Sequence, residues 1–217
     1  MNKELIIFLG PPGSGKGTQA DMLRKYGYFT FSTGYLLRRE VKNNTEIGKT
    51  IQNIINNGKL VDDNLILKLC INEILSLDKD KIIIDGFPRT LKQAKLSQFF
   101  IKSSKSIILK KVFIFNLEEN ELIKRIRNRV TCSKCDTIYN LTVNKPKVDG
   151  ICDICGEKLI RREDDLEINS IIKRNKIYLF NIPNITYFYA KNNLTFFIDA
   201  LNKPDIINKN IIEVLNV

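Results

Sequence analysis

The feature that most constrains this chain is an apolar run that leads directly into glycines and a lysine. Leu5-Ile-Ile-Phe-Leu9 reads as a buried strand, and Gly10-Pro-Pro-Gly-Ser-Gly-Lys16-Gly-Thr18 follows with no gap. A strand, a glycine-rich turn and a lysine at the start of a helix together make a phosphate cradle. Gly13 and Gly15 let successive N–H groups point inward around Ser14, and the following helix directs its positive dipole end at the same anion. Lys16 adds a full positive charge. The general form of such loops places Ser or Thr directly after the lysine, whereas here Gly17 intervenes and Thr18 follows.

The rest of the chain supports one α/β core with two interruptions. Short apolar runs near 4–9, 81–84, 111–116 and 195–198 alternate with amphipathic stretches near 15–26, 63–77, 90–102, 118–128, 166–180 and 205–215. Such alternation predicts a parallel sheet with helices on both faces. From about Ser32 to Asp62 the pattern is helical without a strand and ends in an Asn57-Gly58 turn. From about Arg129 to Arg162 it changes to cysteine pairs, Gly and Pro with short β-like pieces. At 217 residues a single sizeable core with two inserted subdomains is the natural arrangement.

Composition sets further bounds. A chain that is 43% hydrophobic and 27% charged is neither disordered nor fibrous. Its apolar runs are strand length, far short of the roughly 18 residues a membrane helix needs. Met1-Asn2-Lys3-Glu4 enters a strand almost at once, leaving no room for a signal peptide, so a cytoplasmic location is expected. The net charge of +11 is compatible with nucleic acid, a membrane surface or a small polyanion, but scattered lysines favour a solvated surface over a nucleic-acid patch.

Cysteine and histidine usage is sharper. Cys132-x-x-Cys135 and Cys152-x-x-Cys155 have the spacing of a closed tetrahedral metal site with four thiolates, for which Zn²⁺ is the expected ion. Cys70 sits alone in an apolar helical stretch and reads as a core residue. The chain has no histidine, which excludes phosphohistidine, Ser-His and Cys-His chemistry and any metal site that needs imidazole.

The Gly-x-Pro-Gly-x-Gly-Lys-Gly-Thr form of the loop resembles the adenylate kinase family. The likeness continues in order along nearly the whole chain, through Ser32-Thr-Gly34 with Leu37-Arg38, Gly58-Lys-Leu-Val61, Asp85-Gly-Phe-Pro-Arg-Thr90 with Gln93, Arg125, Arg129, Arg162-Glu-Asp-Asp165 and Lys203-Pro204. The resemblance implies a P-loop NTPase-type three-layer fold with a five-stranded parallel sheet. It divides the chain into a core of 1–31, 63–128 and 163–217, a monophosphate-binding insertion of 32–62 and a lid of 129–162. It also implies reversible phosphoryl transfer from ATP to AMP, giving two ADP, in a monomer that uses Mg²⁺ with ATP and carries a structural Zn²⁺. Neither nucleic acid nor membrane is an expected partner.

By the same resemblance, Gly13, Ser14, Gly15, Lys16, Gly17, Thr18, Arg125, Arg129 and Lys203 would hold ATP. Thr33, Arg38, Lys59, Val61, Gly86, Arg89, Gln93, Arg162 and Lys173 would hold AMP, and Asp85 would hold Mg²⁺ through water. The catalytic set would be Lys16, Arg38, Asp85, Arg89, Arg125, Arg129, Arg162 and Lys173. Guanidinium groups suit phosphate because each donates two parallel hydrogen bonds. A monophosphate is largely deprotonated at neutral pH, so no general base is needed and direct in-line transfer follows. Two departures stand out. Tyr35 occupies the place where the family has Asp, and Lys173 the place where counting puts a second lid-side Arg, with Arg174 beside it. Slower transfer is expected if Arg174 does not substitute, and restoring Arg at Lys173 and Asp at Tyr35 should raise turnover. The alternatives are a GTP-using AMP kinase or another nucleoside monophosphate kinase, or a nucleotide- or nucleic-acid-binding relative whose activity has lapsed. The long cysteine-bearing insertion argues against the short-lid uridylate and cytidylate kinases.

Overall fold

The computed structural model describes residues 2–56 and 60–217. β1 (Lys3–Leu9) alternates its side chains between two cores. Leu5, Ile7 and Leu9 enter one; Ile6 and Phe8 enter the other. All five are essentially inaccessible to solvent, and burying each stabilises the fold by ~1.5–3 kcal/mol. Four strands join it: β2 (Phe29–Ser32), β3 (Lys81–Asp85), β4 (Ile107–Asn116) and β8 (Thr195–Asp199), in the parallel order β2-β3-β1-β4-β8. Strands buried on both faces read as continuous apolar runs, which is why β1 and β3 were visible in sequence. Phe29-Thr-Phe-Ser32 escaped that reading because two of its four residues are polar.

The longest strand changes phase partway. Its pairing with β1 shifts register between Leu5 and Ile6, where Leu5 pairs with Leu109 and Ile6 with Lys111. The extra residue, Lys110, bonds outward to Glu4 at 3.0 Å. The bulge lets odd-numbered Ile107 and Leu109 share a core with even-numbered Val112 and Ile114.

Helices cover both faces. α1 (Lys16–Leu23) and α8 (Pro204–Leu215) bury Ala20, Leu23, Ile207 and Ile211 against Phe8, Phe113 and Phe115. α4 (Asp63–Ser76), α5 (Leu91–Ser103) and α7 (Ile168–Ala190) bury Ile66, Cys70, Ile74, Ala94, Ile101, Ile185 and Tyr189 on the opposite face. Asp62 and Thr90 cap α4 and α5 by accepting from backbone N–H groups. α6 (Glu119–Arg127) packs on α7 through Leu122, Ile126 and Ile171. α7 runs ten residues beyond the expected end at 180, through an exposed Pro183. An interior proline costs a helix ~3 kcal/mol, and burial of Ile185 and the Tyr189 ring beyond it offsets that cost.

Two smaller units rise above the carboxyl edge of the sheet. α2 (Thr33–Lys42) and α3 (Glu46–Asn56) pack together between β2 and α4; the expected Asn57-Gly58 turn and Lys59 lie outside the described residues. β5 (Arg129–Cys132), β6 (Ile138–Asn140) and β7 (Leu159–Ile160) form an antiparallel sheet of their own in the order β6-β5-β7. Its core is small: Val130, Cys132, Tyr139 and Cys152 are buried, with Leu141 and Leu159 packed around them. Among the described residues, no helix is long and apolar enough to cross a membrane.

A cationic cleft at the carboxyl edge of the sheet

Pairing in the sheet sets Ser32, Asp85 and Phe8 level with one another, so the chain leaves β2, β3 and β1 at one edge. In open α/β sheets that edge is where ligands bind. Above it lies a cleft of about 510 Å³, within the range of small-molecule sites. Its floor is the loop after β1. Gly15, with φ 85°, caps α1, and Gly13, with φ 78°, turns the chain just before it. A Cβ on Gly10 would sit 2.8 Å from Cβ of Phe115 and 2.7 Å from Oγ of Ser14, so only glycine fits there. Gly17 has a similar reason to be small: a Cβ would lie 3.2 Å from Cδ1 of Ile138 in the β5–β7 unit.

Lys16 is held by its own loop. Nζ donates to the carbonyls of Gly10 and Pro11 at 2.9 Å each and to Oγ of Ser14 at 3.1 Å. Burial pushes its ammonium down to about 8, opposed by Asp85 and reinforced by Arg89 and Arg129. Asp85 ends β3, and after it the Gly86–Thr90 segment folds back on itself. Arg89 Nε donates to the Gly86 carbonyl at 2.8 Å, and its backbone N–H donates to Oε1 of Gln93 at 2.7 Å. Gln93 in turn donates to Asp63 at 2.8 Å, while Thr33 donates to the Gly86 carbonyl at 3.1 Å.

The upper wall comes from the β5–β7 unit and the start of α7. Arg129 makes a two-pronged pair with Asp165 at 2.8 and 2.6 Å, and Arg174 donates to the same carboxylate at 2.7 Å and also pairs with Asp164. Burial alone would raise the Asp165 carboxyl, but Arg129 and Arg174 outweigh it and hold the group below its ordinary value. Arg162 is pushed down to about 10, first by burial and then by Arg129 and Arg38, with Asp136 and Asp165 opposing. Arg125 lies over the loop and is steadied by Glu121 one helical turn back, at 2.9 Å.

Among the described residues, eight cationic side chains line the cleft: Lys16, Arg38, Arg89, Arg125, Arg129, Arg162, Arg174 and Lys203. Asp85 and Asp164 are its only lining acids among the described residues. Apolar and amide side chains line the same cleft on either side of this charge: Leu37, Val61, Ile66 and Gln93 come from the α2, α4 and α5 side, and Gln19, Leu201, Pro204 and Ile207 from the α1 and α8 side.

Most residues singled out from sequence meet here. Gly13 to Thr18, Thr33, Arg38, Val61, Asp85, Gly86, Arg89, Gln93, Arg125, Arg129, Arg162 and Lys203 all line the cleft. Lys173 does not: it is exposed on α7, and its neighbour Arg174 lines the cleft instead. On α7 the residue that faces the cleft lies one position beyond the counted one. Tyr35 also points elsewhere, packing on the core beneath α2 with the Arg39 guanidinium 5.7 Å from its ring. Tyr178, Asn181 and Asp136 were not foreseen. Tyr178 and Asn181 line the cleft from α7, and their only sequence signal is helical phase with Arg174.

In the β5–β7 unit the four thiols of Cys132, Cys135, Cys152 and Cys155 converge, with all ligand atoms within 4.8 Å of one another. The measured Sγ–Sγ separations of 3.4, 3.5 and 3.6 Å compare with about 3.8 Å across a tetrahedral ion that has metal–sulfur bonds of about 2.3 Å. Backbone N–H groups of Lys134 and Cys135 point at Sγ of Cys132, an arrangement that suits a thiolate. The cluster therefore fits a tetrahedral divalent ion with no position left open.

A glycine loop after a central strand, a sheet edge and a cleft dense in arginine define a P-loop protein that binds nucleotide phosphates. The adenylate kinase family model matches residues 8–194. The chain is 39% identical to the adenylate kinase of Borrelia turicatae over 97% of its own length and 98% of the relative's, and 39% identical to that of Thermosipho africanus over 98% of each. The adenylate kinase of Rhizobium etli is 36% identical over 97% of this chain and 98% of the relative. The chain belongs to the adenylate kinase family of nucleoside monophosphate kinases.

Proposed function

We propose that the chain transfers the terminal phosphoryl group of ATP reversibly to AMP, giving two ADP. The observation that carries this reading is one cleft whose band of cations lies between side chains of α2, α4 and α5 and side chains of α1 and α8, which suits two nucleotides meeting through their phosphates. The loop from Gly13 to Thr18 with Lys16 would hold the donor phosphates, Arg125 and Lys203 would flank the donor base, and Arg129 would reach the transferred group. Arg38 and Arg89 would hold the acceptor phosphate, with Thr33, Val61, Gly86 and Gln93 around its base and Arg162 between donor and acceptor. Lys59 belongs to the acceptor set on sequence grounds.

Phosphoryl transfer calls chiefly for positioning and charge neutralisation. The acceptor arrives deprotonated, so the chain supplies cations and excludes water and needs no base. Mg²⁺ brought with ATP fits a floor where the Asp85 carboxylate stands among Lys16 and Arg89, and when bound it would neutralise phosphate charge. Segments 32–62 and 129–162 would close as bodies over the core, and Gly17 leaves room for Ile138 in the closed state. Zn²⁺ in the four-cysteine cluster would stiffen a lid whose own core is only a few residues deep.

A coupled assay across nucleotide pairs tests the reading. ATP with AMP should give the highest rate, and Lys16→Met should lower it by about 10²–10³-fold. No pair forming diphosphates above that variant would overturn it in favour of a binding role, and GTP outperforming ATP would reassign the donor.

Three further outcomes are expected. Arg174→Ala should lower kcat by about 10²-fold, whereas Lys173→Ala should change it by less than about twofold; the reverse pattern would return the role to Lys173. Lys16 is partly neutral above pH 8 and phosphate favours its charged form, so ATP binding near pH 8.5 should take up protons and weaken as pH rises. Calorimetry in two buffers of different ionisation heat measures that uptake, and none would contradict the depressed lysine. Purified protein should hold one zinc per chain, and chelation should expose four thiols while the core keeps its helix signal. Absent zinc with free thiols would contradict the metal assignment.

A further inference from the structure

Two of the arginines assigned to phosphate are already held by an acid of this chain. Nη2 of Arg38 donates to Oδ2 of Asp136 at 2.6 Å, and Nη2 of Arg162 lies 3.4 and 3.5 Å from the two oxygens of the same carboxylate. Arg38 belongs to α2, whereas Asp136 and Arg162 come from the segment that carries the cysteines, so the contact ties together the two units that overhang the cleft. The side chains are 34%, 20% and 14% exposed respectively, too sheltered for the pair to be dismissed as a screened surface contact.

Placement of the carboxylate follows from the cysteine turn. Asp136 comes directly after Cys135, its N–H donates to the carbonyl of Cys132 at 3.2 Å, and its φ is 58°. Left-handed backbone is uncommon outside glycine, and Asp and Asn are the side chains that tolerate it best. The metal-cluster turn thus ends by aiming an anion out of the small sheet at Arg38, 98 residues earlier in the chain. The neighbouring acids are otherwise engaged: Asp165 is held by Arg129 and Arg174, and Asp164 by Arg174.

A carboxylate and one edge of a phosphate offer guanidinium the same chemistry, two anionic oxygens side by side. We propose that Asp136 is a built-in stand-in for the acceptor phosphate: it latches the lid to α2 when no nucleotide is present, and the incoming monophosphate must displace it from Arg38 and Arg162. Asp136 is then a positioning residue that sets acceptor affinity by competition. A phosphate carrying about −1.5 to −2 charge and three oxygens outcompetes a single carboxylate, but part of its binding free energy is spent in doing so. This inference rests on the assignment of Arg38 and Arg162 to phosphate made above.

The test compares the zinc-loaded parent with Asp136→Asn and Asp136→Gly at low salt. Asn keeps the left-handed turn without the charge and Gly relaxes the turn, so an effect shared by both belongs to the charge; zinc content by mass spectrometry confirms an intact lid. AMP binding measured by calorimetry in the absence of ATP should tighten about threefold or more in both variants, and the gain should shrink toward zero at high salt. In the same variants KM for AMP should fall while KM for ATP moves less. Without nucleotide, X-ray scattering should give both variants a larger radius of gyration than the parent. Variants no more open than the parent, or with unchanged or weaker AMP affinity, would overturn the latch. Variants that open but bind no AMP would overturn the phosphate assignment of Arg38 and Arg162 and, with it, the competition.

Discussion

Like charges gathered around one cleft repel, and this repulsion is the constraint on which the rest of the structure turns. Among the described residues, eight cationic side chains line one cleft of about 510 Å³. Lys16 and Arg162 both hold their protons less tightly than usual, each chiefly because it is buried, with neighbouring arginines adding to the effect and acids opposing it. The chain tolerates the arrangement by supplying acids. Asp165 takes Arg129 and Arg174, Asp136 takes Arg38 and Arg162, and Glu121 steadies Arg125. The carbonyls of Gly10 and Pro11 do the same for Lys16. A site organised this way is poised for polyanions, because each phosphate that enters relieves repulsion as well as making bonds.

The sheet and the small lid solve different halves of this problem. The parallel sheet fixes the lower cations, since Lys16 and Arg89 sit on the short segments that follow β1 and β3, strands buried on both faces. Two of the upper cations, Arg129 and Arg162, belong instead to the small unit that has an antiparallel sheet of its own. Such a unit is too short to build a conventional hydrophobic centre, and four thiols grouped around a metal-sized space supply what Val130 and Tyr139 alone cannot. The same cysteine turn also orients Asp136, so lid stability and cleft electrostatics share one structural origin.

Much of the site was legible in sequence where the signal was local. The loop after β1 announces itself through glycine spacing, the cysteine pairs through theirs, and Asp85-Gly-Phe-Pro-Arg through its place at a strand end. What stayed hidden depended on geometry across distance or on a one-residue change of phase. Arg174, one residue beyond the counted position, is the side chain that lines the cleft. Tyr35 looked like a lost cleft residue, yet α2 turns it toward the core. The length of α7 was hidden by Pro183, whose local penalty is outweighed by the burial of Tyr189 further on. Asp136 carried no motif at all, because its partner is 98 residues away and the fold brings the two units that carry them together.

The most direct test of this electrostatic account is a crystal structure of the chain with AMP and a non-hydrolysable ATP analogue. The account predicts phosphate oxygens within hydrogen-bond reach of Lys16, Arg38, Arg89, Arg129 and Arg162 at once, with one base beside Val61 and Gln93 and the other beside Leu201 and Pro204. Phosphates bound elsewhere, or arginines still paired only with their acids beside a bound nucleotide, would contradict it.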